Sequence, residues 1–79
     1  MFCFRFIEDD SWSTKLKFDE LWEVIEFCSV DVELPISNIF ISYLCYDHIL
    51  ESDCYFVSYN SNGEFSPIGV LWEERSKNV

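Results

Sequence analysis

Within ten residues the chain places two thiols, a carboxylate and an imidazole, at Cys45, Asp47, His48 and Cys54. These are side chains that ligate zinc, and a thiol beside a histidine is also a pairing that generates a nucleophile. The spacing Cys-x2-His-x5-Cys fits no standard closed zinc site, and both cysteines sit in segments where their side chains alternate with aromatics. His48, the single histidine, reads as a loop residue. The adjacent pair Asp9 and Asp10 lacks the patterned oxygen donors of a cation-binding loop. The sequence therefore predicts no metal, no cofactor and no enzyme, for want of an acid–base or nucleophile constellation.

The chemistry that the chain does concentrate is anionic. Between Lys17 and Arg75 lie 57 residues with no basic side chain and twelve carboxylates, and the 79-residue chain has a formal net charge of −10. Such a one-sign stretch makes the folded state repel itself, so something other than stability is expected to select it. The chain is not a disordered acidic tail, because 49% of it is apolar and 19% aromatic. Each aromatic ring buries roughly 150–250 Å² and lets a small core offset the charge repulsion. One domain spanning 1–79 is expected, with 73–79 a polar, fraying tail.

No run of about 18 apolar residues exists to span a membrane, and the start MFCFRFIEDD lacks a basic segment and a cleavage site. The expectation is a cytoplasmic protein in which Cys3, Cys28, Cys45 and Cys54 are reduced core thiols. Direct nucleic-acid binding is disfavoured, since five basic residues cannot neutralise enough phosphates against that net charge.

The elements that must carry these groups follow from periodicity. Phe2 to Ile7 alternates as a strand, and Trp12 to Lys17 reads as its returning arm. Phe18, Leu21, Trp22, Ile25 and Cys28 recur at helical spacing and predict a helix over Phe18 to Ser29 with one buried stripe. Ser29 to Pro35 reads as a connector. Asn38 to Tyr46, apolar on both faces, predicts a central strand, and Cys54 to Tyr59 a further one. Asn60-Ser61-Asn62-Gly63 is a turn signal leading into a last strand, Glu64 to Trp72, where Pro67 implies an edge or a bulge. The order ββαβββ predicts an α+β fold: an antiparallel sheet of four to five strands with one amphipathic helix on one face. The expected core is Phe4, Phe6, Leu21, Trp22, Ile25, Cys28, Ile39, Ile41, Phe56 and Val70.

On the predicted helix Asp19, Glu23 and Glu26 fall on one stripe beside Glu20, with no lysine or arginine at compensating spacing. The expected partner-binding surface comprises Asp19, Glu20, Glu23, Glu26, Asp31, Glu33, Asp47, Glu51 and Asp53, joined by the indoles of Trp12 and Trp72. Carboxylates about 5–6 Å apart approximate the spacing of phosphates along a nucleic-acid strand, and a Lys/Arg groove responds to charge and spacing. The expected partner is a basic nucleic-acid-binding protein, blocked by nucleic-acid mimicry, with the protein itself a monomer or homodimer.

In size, acidity and lack of catalytic apparatus the chain resembles phage-encoded anti-defence proteins: anti-CRISPR factors, anti-restriction factors and uracil-glycosylase inhibitors. The resemblance is one of profile, without a family motif. An immunity protein or antitoxin covering the active site of a basic nuclease toxin has the same electrostatics, and an adaptor docking through an aromatic sheet face is a third class.

Overall fold

A computed structural model describes residues 1–8 and 15–74. The elements are β1 (Phe2–Phe6), β2 (Leu16–Phe18), α1 (Leu21–Val32), a short 3-10 turn (Ile36–Asn38), β3 (Ile39–Asp47), β4 (Ser52–Ser61) and β5 (Glu64–Glu73). They form one antiparallel five-stranded sheet in the order β2-β1-β5-β4-β3, with the helix packed on one face. The α+β class and the ββαβββ order are those expected.

Local chemistry explains the joints. Asn62 and Gly63 both have positive φ, 55° and 85°, between the closing pair Ser61 and Glu64, as a two-residue hairpin that keeps the strand twist requires. Opposite Val57 and Ser58 the last strand inserts one extra residue, Ile68, between Gly69 and Pro67. The predicted bulge is there, but β5 is the central strand. Pro67 is tolerated because the pairing with β1 ends at Phe6 and Gly69, so its missing N–H faces no neighbour on that side. The bulge also shifts the phase of the strand, which lets Ile68 and Leu71 both enter the helix-side core.

That core is Phe4, Val24, Cys28, Ile39, Val57, Ile68 and Leu71, flanked by partly buried Phe2, Phe6, Phe18 and Phe27. Phe27 ties the helix to the first two strands, its ring 5.5 Å from Phe18, 5.9 Å from Phe6 and 6.5 Å from Phe4. A smaller cluster of Cys3, Cys54 and Trp72 lies on the other face. Burial pushes the Cys28 thiol up to about 12, with the charge of Asp31 adding to it, so it is neutral and unreactive near neutral pH.

Four expectations need correction. The helix runs from Leu21 to Val32, three residues later than its spacing suggested. Phe18 pairs with Phe2 as the end of β2, and the helix continues through β-branched Val30 and Val32 because tertiary packing outweighs propensity. The buried stripe is accordingly phased on Val24 and Cys28, leaving Leu21 39% and Trp22 60% exposed instead of in the core. Third, Ile39–Asp47 is an edge strand, since β5 returns to pair with β1 and takes the centre. Cys45 on that strand is exposed and not a core thiol. Fourth, the tail does not begin at 73: Glu73 belongs to β5, and the Glu74 N–H donates to the Met1 carbonyl at 2.8 Å.

Candidate partner-binding surface

A 10-residue strand at about 3.3 Å per residue outreaches a 12-residue helix at 1.5 Å per residue. The sheet therefore outruns the helix along the strand direction, and the molecule is long, 46 × 22 × 20 Å. Among the described residues, grooves open beside the helix. The first, about 390 Å³, is lined by apolar groups including Leu21, Tyr46 and Tyr55 and by the carboxylates of Glu51, Asp53 and Glu73. The second, about 400 Å³, lies at the helix C-terminus with Glu8 and Asp31. The third, about 340 Å³, runs along the helix between Trp22, Val30, Glu23 and Glu26.

Among the described residues the basic side chains, Arg5, Lys15 and Lys17, are kept away from these grooves. Phe2, Phe4 and Phe6 face the helix, so strand alternation points Cys3 and Arg5 to the opposite face, and Lys17 pairs with Cys3 in register. Lys15 and Lys17 both reach Glu74, at 3.2 Å each. Their hydrogen bonds hold the Glu74 carboxyl below the usual range. Neither lysine folds back across the helix carboxylates. Among the described residues Arg5, Lys15 and Lys17 thus lie on the sheet face away from the helix.

The predicted acidic residues divide by what holds them. Asp19 and Glu20 are exposed and precede the helix, so Asp19 is not on a helical stripe with Glu23 and Glu26. Glu23 is the third helical residue, and its Oε1 accepts the Glu20 N–H at 2.8 Å, so its charge completes the helix start. Asp47 turns into its own loop, accepting from the Ile49 and Leu50 N–H groups at 2.8 and 2.9 Å. Asp53 accepts the Tyr43 hydroxyl at 3.0 Å, which holds that phenol above its usual range. Glu26, Asp31, Glu33 and Glu51 are exposed. Of the indoles, Trp12 lies outside the described residues. Trp72 is only 9% exposed, packed with Cys3 and Cys54, and reaches solvent only where it lines the first groove.

Several of these carboxylates sit where they cost stability. Asp31 is in the last helical turn, where no basic residue balances it and the helix dipole opposes a negative charge by about 0.3–1 kcal/mol. Glu33 caps the helix in the left-handed region, φ 57° and ψ 42°, and Glu51 turns the β3–β4 loop at φ 54°. A residue with a Cβ pays roughly 1–2 kcal/mol there, which glycine avoids. Glu33→Gly is expected to stabilise the fold by about 1 kcal/mol and raise Tm by roughly 4–8 °C. A thermal melt checks it, and an unchanged or lowered Tm would show that the cap conformation is not a cost.

Sequence reasoning missed Trp22, Val30, Glu8 and Glu73 as surface groups. Val30 is 73% exposed, and with Trp22 and Glu26 it forms an i, i+4, i+8 row on the solvent side of the helix. A helix beginning at Leu21 with its stripe on Val24 and Cys28 turns Trp22 outward.

Compared with protein-family models, curated proteins and solved structures, the chain finds no match. Its function is argued from this geometry alone.

Proposed function

We propose that the protein is a non-catalytic inhibitor that docks its helix-bearing side on a basic, nucleic-acid-binding protein and occupies a site built for phosphates. Among such targets, CRISPR effectors, restriction enzymes and base-excision glycosylases use grooves of this charge. The observation that carries the reading is the presence of Asp31, Glu33 and Glu51 at positions that disfavour them, while Lys15 and Lys17 are drawn to Glu74. Folding alone would favour a neutral or basic residue at the first and glycine at the other two.

Trp22 supplies what charge cannot. Opposite fields steer encounter and set its salt dependence, while desolvated aromatic anchors surrounded by polar contacts hold a complex together. An indole 60% exposed beside Glu23 and Glu26 has that arrangement. The binding of a basic effector to the immobilised protein is expected to weaken steeply as salt rises from about 0.05 to 0.5 M. The double variant Glu26→Lys with Asp31→Lys is expected to lose at least about tenfold in affinity at low salt, equivalent to 1.4 kcal/mol, with the fold retained because both side chains are exposed. Salt-independent binding that survives this variant would overturn the mimicry.

A further inference from the structure

We propose that Cys45 and Cys54 form a thiol–disulfide exchange site, which a small disulfide such as oxidised glutathione converts into an intramolecular bridge between β3 and β4. The two residues are direct partners in the antiparallel register. Opposed residues of such a pair have Cα atoms about 4.5–5.5 Å apart and side chains on one face, inside the roughly 4.4–6.8 Å that a disulfide spans. A bulge creates this pairing. Up to Tyr43, opposite Tyr55, the strands keep one register, and its continuation would set Leu44 against Cys54. The residue inserted before Cys45 shifts the register by one and brings the two thiols together. It also turns Cys45 over: Tyr55, the partner of Tyr43, packs on the helix-side core, whereas Cys54 belongs to the cluster on the other face.

Their surroundings divide the work of exchange. Cys45 is exposed and meets the oxidant, while Cys54, 4% exposed, is shielded from it. Burial holds the Cys54 thiol above its usual range, with Cys45, Asp47 and Asp53 adding to it, so it is the slower of the two toward an external disulfide. Cys45 attacks one sulfur of oxidised glutathione as its thiolate, the S–S bond breaks, and one glutathione thiolate leaves. The Cys54 thiol then gives its proton to solvent and attacks the Cys45 sulfur, expelling the second glutathione. Two protein thiols are oxidised and one external disulfide is reduced. The other two cysteines are out of reach. Trp72 pairs with Cys3 on one side and Cys54 on the other, so those thiols sit two strands apart, about 9–10 Å, beyond the roughly 7 Å limit for bridging. Cys28 is buried in the core on the helix side of the sheet.

The pair lies on the face away from the helix and its test involves no partner, so this inference stands apart from the inhibitor reading. The full chain is incubated with oxidised glutathione, blocked with iodoacetamide in denaturant, and weighed whole and after cleavage at glutamate, since Glu51 lies between the two cysteines. A single chain lacking two hydrogens is expected, with Cys45 joined to Cys54 and Cys3 and Cys28 alkylated. Closing a loop of about 10 residues is expected to raise Tm by roughly 10 °C, reversed by dithiothreitol. Cys54→Ser is expected to stop at the mixed disulfide, with glutathione retained on Cys45, and Cys45→Ser to remain unmodified. Cys54→Ala serves if Cys54→Ser does not fold. Glutathione retained on Cys45 of the unsubstituted chain, a bridge to Cys3 or between two chains, or four free thiols would overturn the proposal.

Discussion

Gly69→Ala is expected to destabilise the protein by about 3 kcal/mol or more, enough to leave much of the chain unfolded at physiological temperature. A Cβ at Gly69 would run into the Arg5 carbonyl oxygen and lie 2.6 and 2.8 Å from atoms of the Phe4 ring. The first contact is with backbone, so no rotamer change relieves it. The second is with the largest fully buried side chain, whose ring packs on Phe6 and Phe27 and cannot swing away without opening the helix-side core. The position is also central, since Gly69 pairs with Phe6 on one side and Val57 on the other. Set against a total of roughly 4–12 kcal/mol for 79 residues, this one methyl group removes a large fraction of the stability. Gly63→Ala is the control: its Cβ would meet nothing within 4 Å, and only the positive φ of 85° is strained, so a cost of about 1 kcal/mol is expected. Urea denaturation of the pair checks both, and similar midpoints for the two variants would contradict the packing described.

Trp22→Ala is expected to lower affinity for the basic target by about 30-fold or more, equivalent to roughly 2 kcal/mol, while changing stability by less than about 0.5 kcal/mol. The dissociation of the two effects is the point. An indole in the core would cost about 3–5 kcal/mol of stability on truncation, and the sequence periodicity placed it there. At 60% exposure, on the outward side of α1, it contributes little to folding and, under the proposed function, is open to serve as an anchor. Melting and binding measured on the same variant separate the two, and a large fall in Tm without selective loss of binding would return Trp22 to the core.

Where local chemistry was decisive, the sequence could be read. Asn62-Gly63 set a hairpin, Pro67 signalled an edge or a bulge, of which the bulge is there, and the alternation around Arg5 and the spacing of Ile25 and Cys28 pointed to β1 and, three residues early, to the helix. What stayed illegible depends on long-range pairing. Nothing near Glu64–Glu73 in sequence says that it must return to β1, yet that pairing places β5 at the centre and sends Ile39–Asp47 to the edge. Phe40, Tyr43 and Tyr46, on a strand read as central, are instead half open to solvent. Trp72 was misjudged for the complementary reason: near the end of a strand it resembled an interface indole, and only the lateral contacts of Cys3 and Cys54 bury it.

The acidic surface was legible in composition but not in arrangement. Counting charges could not tell that Glu23 and Asp47 serve their own backbone, that Glu33 and Glu51 occupy left-handed positions, or that Lys15 and Lys17 converge on Glu74. Those distinctions narrow the surface to Trp22, Glu26, Asp31, Glu33, Glu51 and their neighbours on the helix side.

Displacement of labelled duplex DNA from its basic effector tests mimicry most directly. The protein is expected to release the DNA competitively, with the apparent Kd for DNA rising in proportion to protein concentration and the effect fading with added salt and in Trp22→Ala. A ternary complex in which effector, DNA and protein remain bound together would contradict the account.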